Sequence, residues 1–269
     1  MDRRENILGT LIGEGRTAQV FHWAEGQAVK LFRAEFAWRA AGEVNAAKTA
    51  HAAGARTPAV LAVVEVRERT GIVFEYVEGP SLMRMLSAKP WHLRRGARAL
   101  AELHASIHGC SAPNLPRQAD SLRPLIETAE GLSRRQRDAA LSAVERLPEG
   151  DTLCHGDLHP GNVIDGGDGL VAIDWATAAR GDPLVDMSVT GMIMGLGELP
   201  PGTPWLLRSV LPFARDLVRR EYLGRYRVAT NARDELRAWQ LPLAAARLGR
   251  GVGGERTALL RLIEAEVAE

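Results

Sequence analysis

The chain has 269 residues, 46% of them apolar and 25% charged, and a net charge of +1. That length can bury a substantial core in one domain or two small lobes, and the balanced charge gives no reason to expect nucleic acid or an anionic membrane as partner. No apolar run approaches the roughly 18 to 20 residues of a membrane span, and the first residues lack the apolar core of a signal peptide.

The two cysteines, Cys110 and Cys154, have no metal-binding spacing and read as reduced thiols. A cytoplasmic monomer or homodimer is therefore expected.

Residues 7–33 read as three short strands. Ile7–Ile12 leads into the glycine-rich turn Gly13-Glu14-Gly15, and Ala18–Trp23 and Gln27–Phe32 follow around Glu25-Gly26. The turn has Ala18 where a third glycine would stand, and it feeds a strand rather than a helix. Dinucleotide binding of the Rossmann kind is thus disfavoured, while a flap over nucleotide phosphates fits. No GxxxxGK[ST] occurs anywhere. Residues 36–53 are Ala-rich with helical spacing, and Gly54 caps them. Val60–Val66 is the next strand, and a turn at Arg69-Thr70-Gly71 returns the chain through Ile72–Val77.

Lys30 ends the apolar run Ala28-Val29-Lys30-Leu31-Phe32 and is one of only three lysines among 34 basic residues. A compact ammonium there suits triphosphate oxygens. Glu43 on the following helix is the best counter-charge, with Glu35 second. A lysine on the solvent face of an edge strand is the bland alternative.

After Glu78-Gly79-Pro80 the pattern becomes mostly helical. Leu93–Ile107 carries a helical apolar stripe, a loop over 109–121 follows, and one or two helices precede Pro148. Short apolar runs at Thr152–Cys154, Asn162–Ile164 and Leu170–Ile173 come next. Four helices are expected from Leu184 onward, broken near Pro200-Pro201, Thr230-Asn231 and 249–254.

The most informative stretch is His155-Gly156-Asp157-Leu158-His159-Pro160-Gly161-Asn162, with Ile173-Asp174-Trp175 beyond it. Phosphoryl transfer from a nucleotide needs a carboxylate to take a hydroxyl proton and oxygen ligands for Mg²⁺. Asp157 precedes Asn162 by five residues, the spacing of base and metal ligand in a protein-kinase catalytic loop. Asp157 is the candidate base, and Asn162 and Asp174 are the candidate Mg²⁺ ligands; a turn aspartate and a buried hydrogen-bonded aspartate are the alternatives. His155 and His159 are four apart, but Gly156, Pro160 and Gly161 break any helix between them, so they read as hydrogen-bonding residues of the loop rather than zinc ligands. Asp182 with Pro183 reads as a helix N-cap. Asp186, inside an apolar helix, is expected to accept backbone N–H bonds from the catalytic loop.

These motifs, with Gly181-Asp182-Pro183 and Ala28-Val29-Lys30, resemble those of the aminoglycoside phosphotransferase and choline kinase family. The resemblance covers nearly the whole chain in order and spacing. It implies an α+β, protein-kinase-like bilobal fold, with a nucleotide-binding lobe at 1–78 and a catalytic, acceptor-binding lobe at 79–269. It implies Asp157 as base, Asn162 and Asp174 on Mg²⁺, and Lys30 paired to Glu43 on the phosphates of ATP. Gly13 and Gly15 would lie over those phosphates, and Glu75, Tyr76 and Val77 would offer their backbone to adenine.

No activation segment separates Asp174 from Gly181, so the acceptor is expected to be a small-molecule hydroxyl. A small protein kinase or a nucleotide-binding interaction module is the alternative. From residue 200 onward 12 arginines face 8 acids, which argues against a multiply cationic acceptor. Trp175, Trp205, Tyr222, Tyr226 and Trp239 read mainly as packing residues, with a cage for a quaternary ammonium as the lesser option.

Overall fold

Apolar residues alternate through the first part of the chain, and in the structure, a computed structural model describing residues 8–196, 205–230, 239–251 and 254–268, they form an antiparallel sheet. Its strands are β1 (Leu11–Glu14), β2 (Ala18–Ala24), β3 (Gln27–Phe32), β4 (Val60–Val66) and β5 (Arg69–Glu75), in the order β1-β2-β3-β5-β4. The first strand begins later than the sequence suggested, and Ile7 lies outside the described residues. Gly9 and Thr10 already bond to His22, but a bulge between Leu11 and Gly13 shifts the register. That shift carries Gly13 and Glu14 into the strand.

The β4–β5 turn also sits earlier than expected. Arg67 and Glu68 take it, both left-handed at φ 49° and 62°, as a two-residue hairpin requires. Gly71, expected in the turn, is instead inside β5. A Cβ there would lie 2.9 Å from the Val29 side chain, so the glycine serves close packing between strands.

A 3-10 helix at Ala34–Arg39 runs into α1 (Ala40–Ala52), which buries Ala40, Glu43, Ala46, Ala47 and Ala50 on one face. Gly54, at φ 89°, follows its end. Past β5 the chain crosses at Gly79, whose φ is 149° and whose Cβ position lies 1.9 Å from the Asp165 carbonyl. Only glycine fits that crossing.

The rest is predominantly helical. A helix the sequence reading did not single out, α2 (Leu82–Ala88), is capped by Ser81, whose hydroxyl accepts the Arg84 N–H. Helix α3 (Leu93–Ile107) buries the expected stripe. Two helices, α4 (Gln118–Glu127) and α5 (Arg134–Glu145), precede Pro148, the second held by a Ser133–Gln136 capping box. Strands β6 (Thr152–Cys154), β7 (Val163–Asp165), β8 (Leu170–Ala172) and β9 (Ala179–Gly181) make two hairpin-like pairs, β6 with β9 and β7 with β8. Strand β9 was not anticipated. Four helices follow: α6 (Pro183–Leu196), α7 (Trp205–Thr230), α8 (Gln240–Gly249) and α9 (Arg256–Ala268). The expected breaks at Pro200-Pro201 and Asn231 lie outside the described residues.

The fold is thus α+β, an antiparallel sheet followed by a mostly helical part. Its main core runs from Ala46, Ala47 and Ala50 of α1 through Leu100 and Ile107 of α3 to Leu153, Leu158, Trp175 and Tyr222. The sheet has its own cluster of Ala18, Phe32, Ala40 and Ile72, and Lys30 of β3 reaches Asp174, two residues past β8. No described helix is long and apolar enough to cross a membrane.

Candidate active site

Strand β6 delivers the chain into the loop carrying Asp157, and the loop is fixed from below. The Asp186 carboxylate, fully buried in the first turns of α6, accepts N–H bonds from His155 (2.6 Å) and Gly156 (2.8 Å). Gly156 is left-handed at φ 76°, and a Cβ there would meet the Thr177 carbonyl at 2.4 Å. Asp182 caps α6 by accepting the Leu184 N–H at 2.6 Å, which sets Asp186 one turn in.

Asp186 is itself part of a buried chain. His104 and His108, four apart on α3, donate from Nε2 to its Oδ2 at 3.1 and 3.2 Å. Their Nδ1 atoms accept from the hydroxyls of Tyr222 and Tyr226, four apart on α7. Each ring nitrogen is thereby occupied by a hydrogen bond, a pattern that suits a neutral imidazole at His104. Burial would raise the Asp186 carboxyl, but the two imidazoles more than reverse that and hold it well below the usual carboxylate range. Tyr222 and Tyr226 are therefore interior, as is Trp175, whose indole N–H donates to Thr57. These three residues do not form a ligand cage.

Burial, the largest cause, also pushes His104 down from 6.5 to about 4. The unfolded chain therefore binds a proton that the folded one refuses between those two values. Stability is fully present above pH 6.5 and falls as pH drops toward 4. The expected loss is on the order of 3 kcal/mol, measurable as a shift of the denaturant midpoint between pH 7 and pH 4.5. An unchanged midpoint would remove the neutral-imidazole assignment.

The loop residues come together as follows. Asn162 ends a 3-10 turn, and its side-chain Nδ2 donates to the Asp157 carbonyl at 3.0 Å. The Ile173 N–H donates to the Asn162 carbonyl at 3.0 Å, tying β8 to this turn. His155 joins the two loops: its Nε2 donates to the Ile173 carbonyl at 3.1 Å, and its Nδ1 accepts the Asp157 N–H at 3.3 Å. Its ring packs on Trp175. Asp174 follows in a left-handed conformation at φ 65°, which aspartate tolerates better than most residues.

Across the cleft, Lys30 Nζ lies 2.6 and 2.9 Å from the Glu43 carboxylate and 3.0 Å from Asp174 Oδ1. Burial would lower the Lys30 ammonium, yet the two carboxylates raise it above its ordinary value. Desolvation in the cleft would raise Asp174, and Lys30 more than offsets this, leaving it low and ionised. Glu43 is raised by burial, with Lys30 opposing.

At the cleft mouth, Gly15 closes the β1–β2 turn by donating to the Ala18 carbonyl. A Cβ at Gly13 or Gly15 would meet nothing closer than 3.7 Å, so the fold itself does not demand glycine at either place. Of the expected hinge amides, Glu75 N–H is committed to Ala59 and Tyr76 N–H to Gly26. Among the described residues, Val77 N–H has no such partner. Of the three amides, Val77's is the one left available to a ligand.

Sequence reasoning missed two residues. Arg247 and Arg250, at the end of α8, point their Nη1 atoms at Asp157 Oδ1, 3.4 and 3.8 Å away. Their i, i+3 spacing on one helix face was a signal, but nothing local linked it to Asp157.

The fold and the residues converging in its cleft define a protein-kinase-like phosphotransferase. Residues 9–239 match the sequence profile described as the phosphotransferase enzyme family. The chain belongs to that family of phosphotransferase enzymes. No curated protein sequence matches it.

Solved structures with the same fold include a type VIII aminoglycoside-3′-phosphotransferase, 20% identical with a TM-score of 0.60, covering 90% of this chain and 92% of that one. Aminoglycoside phosphotransferase APH(3″)-Id of Streptomyces rimosus is 17% identical with a TM-score of 0.57, over 86% and 89% of the two chains. A choline/ethanolamine kinase family protein of Mesorhizobium loti is 18% identical with a TM-score of 0.52, over 98% and 94%.

Proposed function

We propose that the enzyme transfers the γ-phosphate of ATP, with Mg²⁺, to a hydroxyl group of a small molecule. The observation that carries this reading is the Lys30 ammonium held between Glu43 and Asp174, opposite a loop in which Asn162 clamps Asp157. These residues would supply a cation for phosphate oxygens, two oxygen ligands and a proton acceptor.

The donor set suits Mg²⁺. Asp174 is ionised, and its side chain is 42% exposed. Asn162 has committed its nitrogen to Asp157, which leaves its oxygen as the ligand atom. One charged and one neutral protein oxygen are enough for an ion that keeps phosphate and water ligands. The chemistry such an ion supplies is neutralisation of charge on the phosphate oxygens.

The chain's own residues do the rest. Lys30 holds phosphate oxygens as a point charge, and Glu43 keeps its ammonium in place. The hairpin turn at Gly13 and Gly15 leaves space that a side chain would narrow, in keeping with a phosphate lying beneath it. Val77 N–H serves the adenine edge, in a hinge we place between the two lobes at residues 77–80. Asp157 takes the proton of the acceptor hydroxyl as its oxygen bonds to the γ-phosphorus and the bond to the leaving diphosphate oxygen breaks.

Nucleotide complexes among the neighbours support the donor class: the S. rimosus enzyme was solved with ADP and streptomycin, and APH(2″)-IIIa with GDP and kanamycin. Only Trp175 to Ala178 separate Asp174 from β9, too little chain to dock a protein acceptor.

Mg²⁺-ATP at about 100 times its Kd should stabilise the fold by ~2.7 kcal/mol, a melting-temperature rise of about 5 to 10 °C that chelation reverses. A panel of small alcohols should then consume ATP where protein substrates do not. No nucleotide-dependent shift would sink the proposal.

A further inference from the structure

Resting on that reading, we propose that the acceptor is an anionic alcohol, a small molecule whose carboxylate or phosphate group docks on Arg250 and Arg247 beside the reacting hydroxyl. Both guanidiniums stand at the carboxylate proposed to accept the proton, 3.4 and 3.8 Å from its Oδ1. Arg247 is rigidly aimed. Glu255, buried at the start of α9, binds its Nε and Nη2 edge, which leaves Nη1 toward Asp157.

Arg250 is different. Its Nη1 makes one long bond to the Gly156 carbonyl at 3.3 Å and a 3.8 Å approach to Asp157. Among the described residues no other carboxylate lies within 4.0 Å of it. Its side chain is only 18% exposed. A half-buried guanidinium with most of its fork unused is a ready site for a planar or tetrahedral anion.

The backbone fixes the pair in place. A Cβ at Gly249 would lie 1.9 Å from the Leu125 carbonyl, so α8 ends hard against α4.

Arg16 at the hairpin tip donates to the Arg250 and Gly251 carbonyls, at 2.6 and 3.4 Å, and so ties the glycine-rich turn to the end of α8. Arg39 also adds to the positive field at Arg250. An ammonium-bearing acceptor would meet like charge on several sides, whereas a carboxylate or phosphate ester finds two converging cations.

The test uses matched alcohols in four arms: hydroxycarboxylates, hydroxyalkyl or sugar phosphates, their neutral amides or unphosphorylated parents, and amino alcohols. Each is assayed for ATP consumption with the intact enzyme, and for thermal stabilisation of the protein already loaded with Mg²⁺-ADP. One of the two anionic arms should exceed its neutral counterpart in kcat/KM by at least about 10-fold, and which arm wins identifies the anion.

Arg250→Ala should raise the acceptor KM about 10- to 100-fold with little change in the KM for ATP, and Arg250→Lys should recover part of that loss. Equal or better turnover of a neutral or amino alcohol would overturn the inference while leaving phosphotransfer intact. So would failure of every anionic alcohol to stabilise the Mg²⁺-ADP form. A uniform fall in kcat for all acceptors in Arg250→Ala would also overturn it, by assigning the guanidinium to the transferring phosphoryl group. Loss of Mg²⁺-ATP protection in the intact enzyme would instead strike the phosphotransferase reading itself.

Discussion

Asp157→Asn is expected to lower kcat by roughly 10²- to 10⁴-fold and to leave nucleotide-dependent stabilisation in place. The carboxamide keeps the shape of the side chain but cannot take up the hydroxyl proton. The fold should accept the change, because the loop is held through Asp157's backbone rather than its carboxylate. Its carbonyl accepts from Asn162, and its N–H donates to His155.

The carboxylate itself is 30% exposed, and among the described residues its ion-pair partners are Arg247 and Arg250 at 3.4 and 3.8 Å. Arg247 retains its buried partner Glu255 in the variant. The nucleotide contacts proposed for Lys30, Asn162 and Asp174 lie on other residues. Steady-state turnover and a Mg²⁺-ATP melting shift, measured on the same preparation, separate chemistry from binding. Turnover at the original rate would show that Asp157 is not the base.

How far this site was legible depended on sequence distance. The catalytic loop was readable because Asp157 and Asn162 are bound into one short turn, so their spacing is their geometry. Lys30 and Glu43 were readable for a similar reason: only a short 3-10 helix separates β3 from α1, and the helix face that buries alanines also buries Glu43. The Lys30–Asp174 contact joins residues 144 apart, and only the packing of the sheet on the helical part creates it. Arg247 reaches Asp157 across 90 residues, from a helix whose own pattern signals nothing but amphipathicity.

Errors in the fold reading had an equally local cause. Glycine has two uses, a turn and a close approach, and composition does not distinguish them. Gly71 was assigned to the first and serves the second. Helix α2 was missed because it is short and is set by its Ser81 cap rather than by a long periodic stripe. The buried tyrosine–histidine pairs left a faint trace: two i, i+4 pairs, His104 with His108 and Tyr222 with Tyr226. Their meaning appears only when α3 and α7 face each other.

That same cluster carries the largest expected change in stability. Asp186→Ala should destabilise the fold by on the order of 4 kcal/mol, about 10 °C in melting temperature. The carboxylate is fully buried and collects four donors: two backbone N–H groups of the catalytic loop and two imidazole N–H groups from α3. Removing it leaves all four facing a small apolar space. Each unmet buried donor costs about 1 to 3 kcal/mol, and a water entering the gap offsets part of the sum.

Asp186→Asn should cost less, because the amide oxygen still serves two donors while its NH₂ opposes the others. Activity should fall in both variants together with the loop's anchorage, since His155 and Gly156 are the residues that set Asp157. Differential scanning calorimetry alongside turnover at a temperature where each variant remains folded tests this directly. If Asp186→Ala melted within a degree or two of the parent, the loop would be held by its own turn geometry, and the buried carboxylate would not be its anchor.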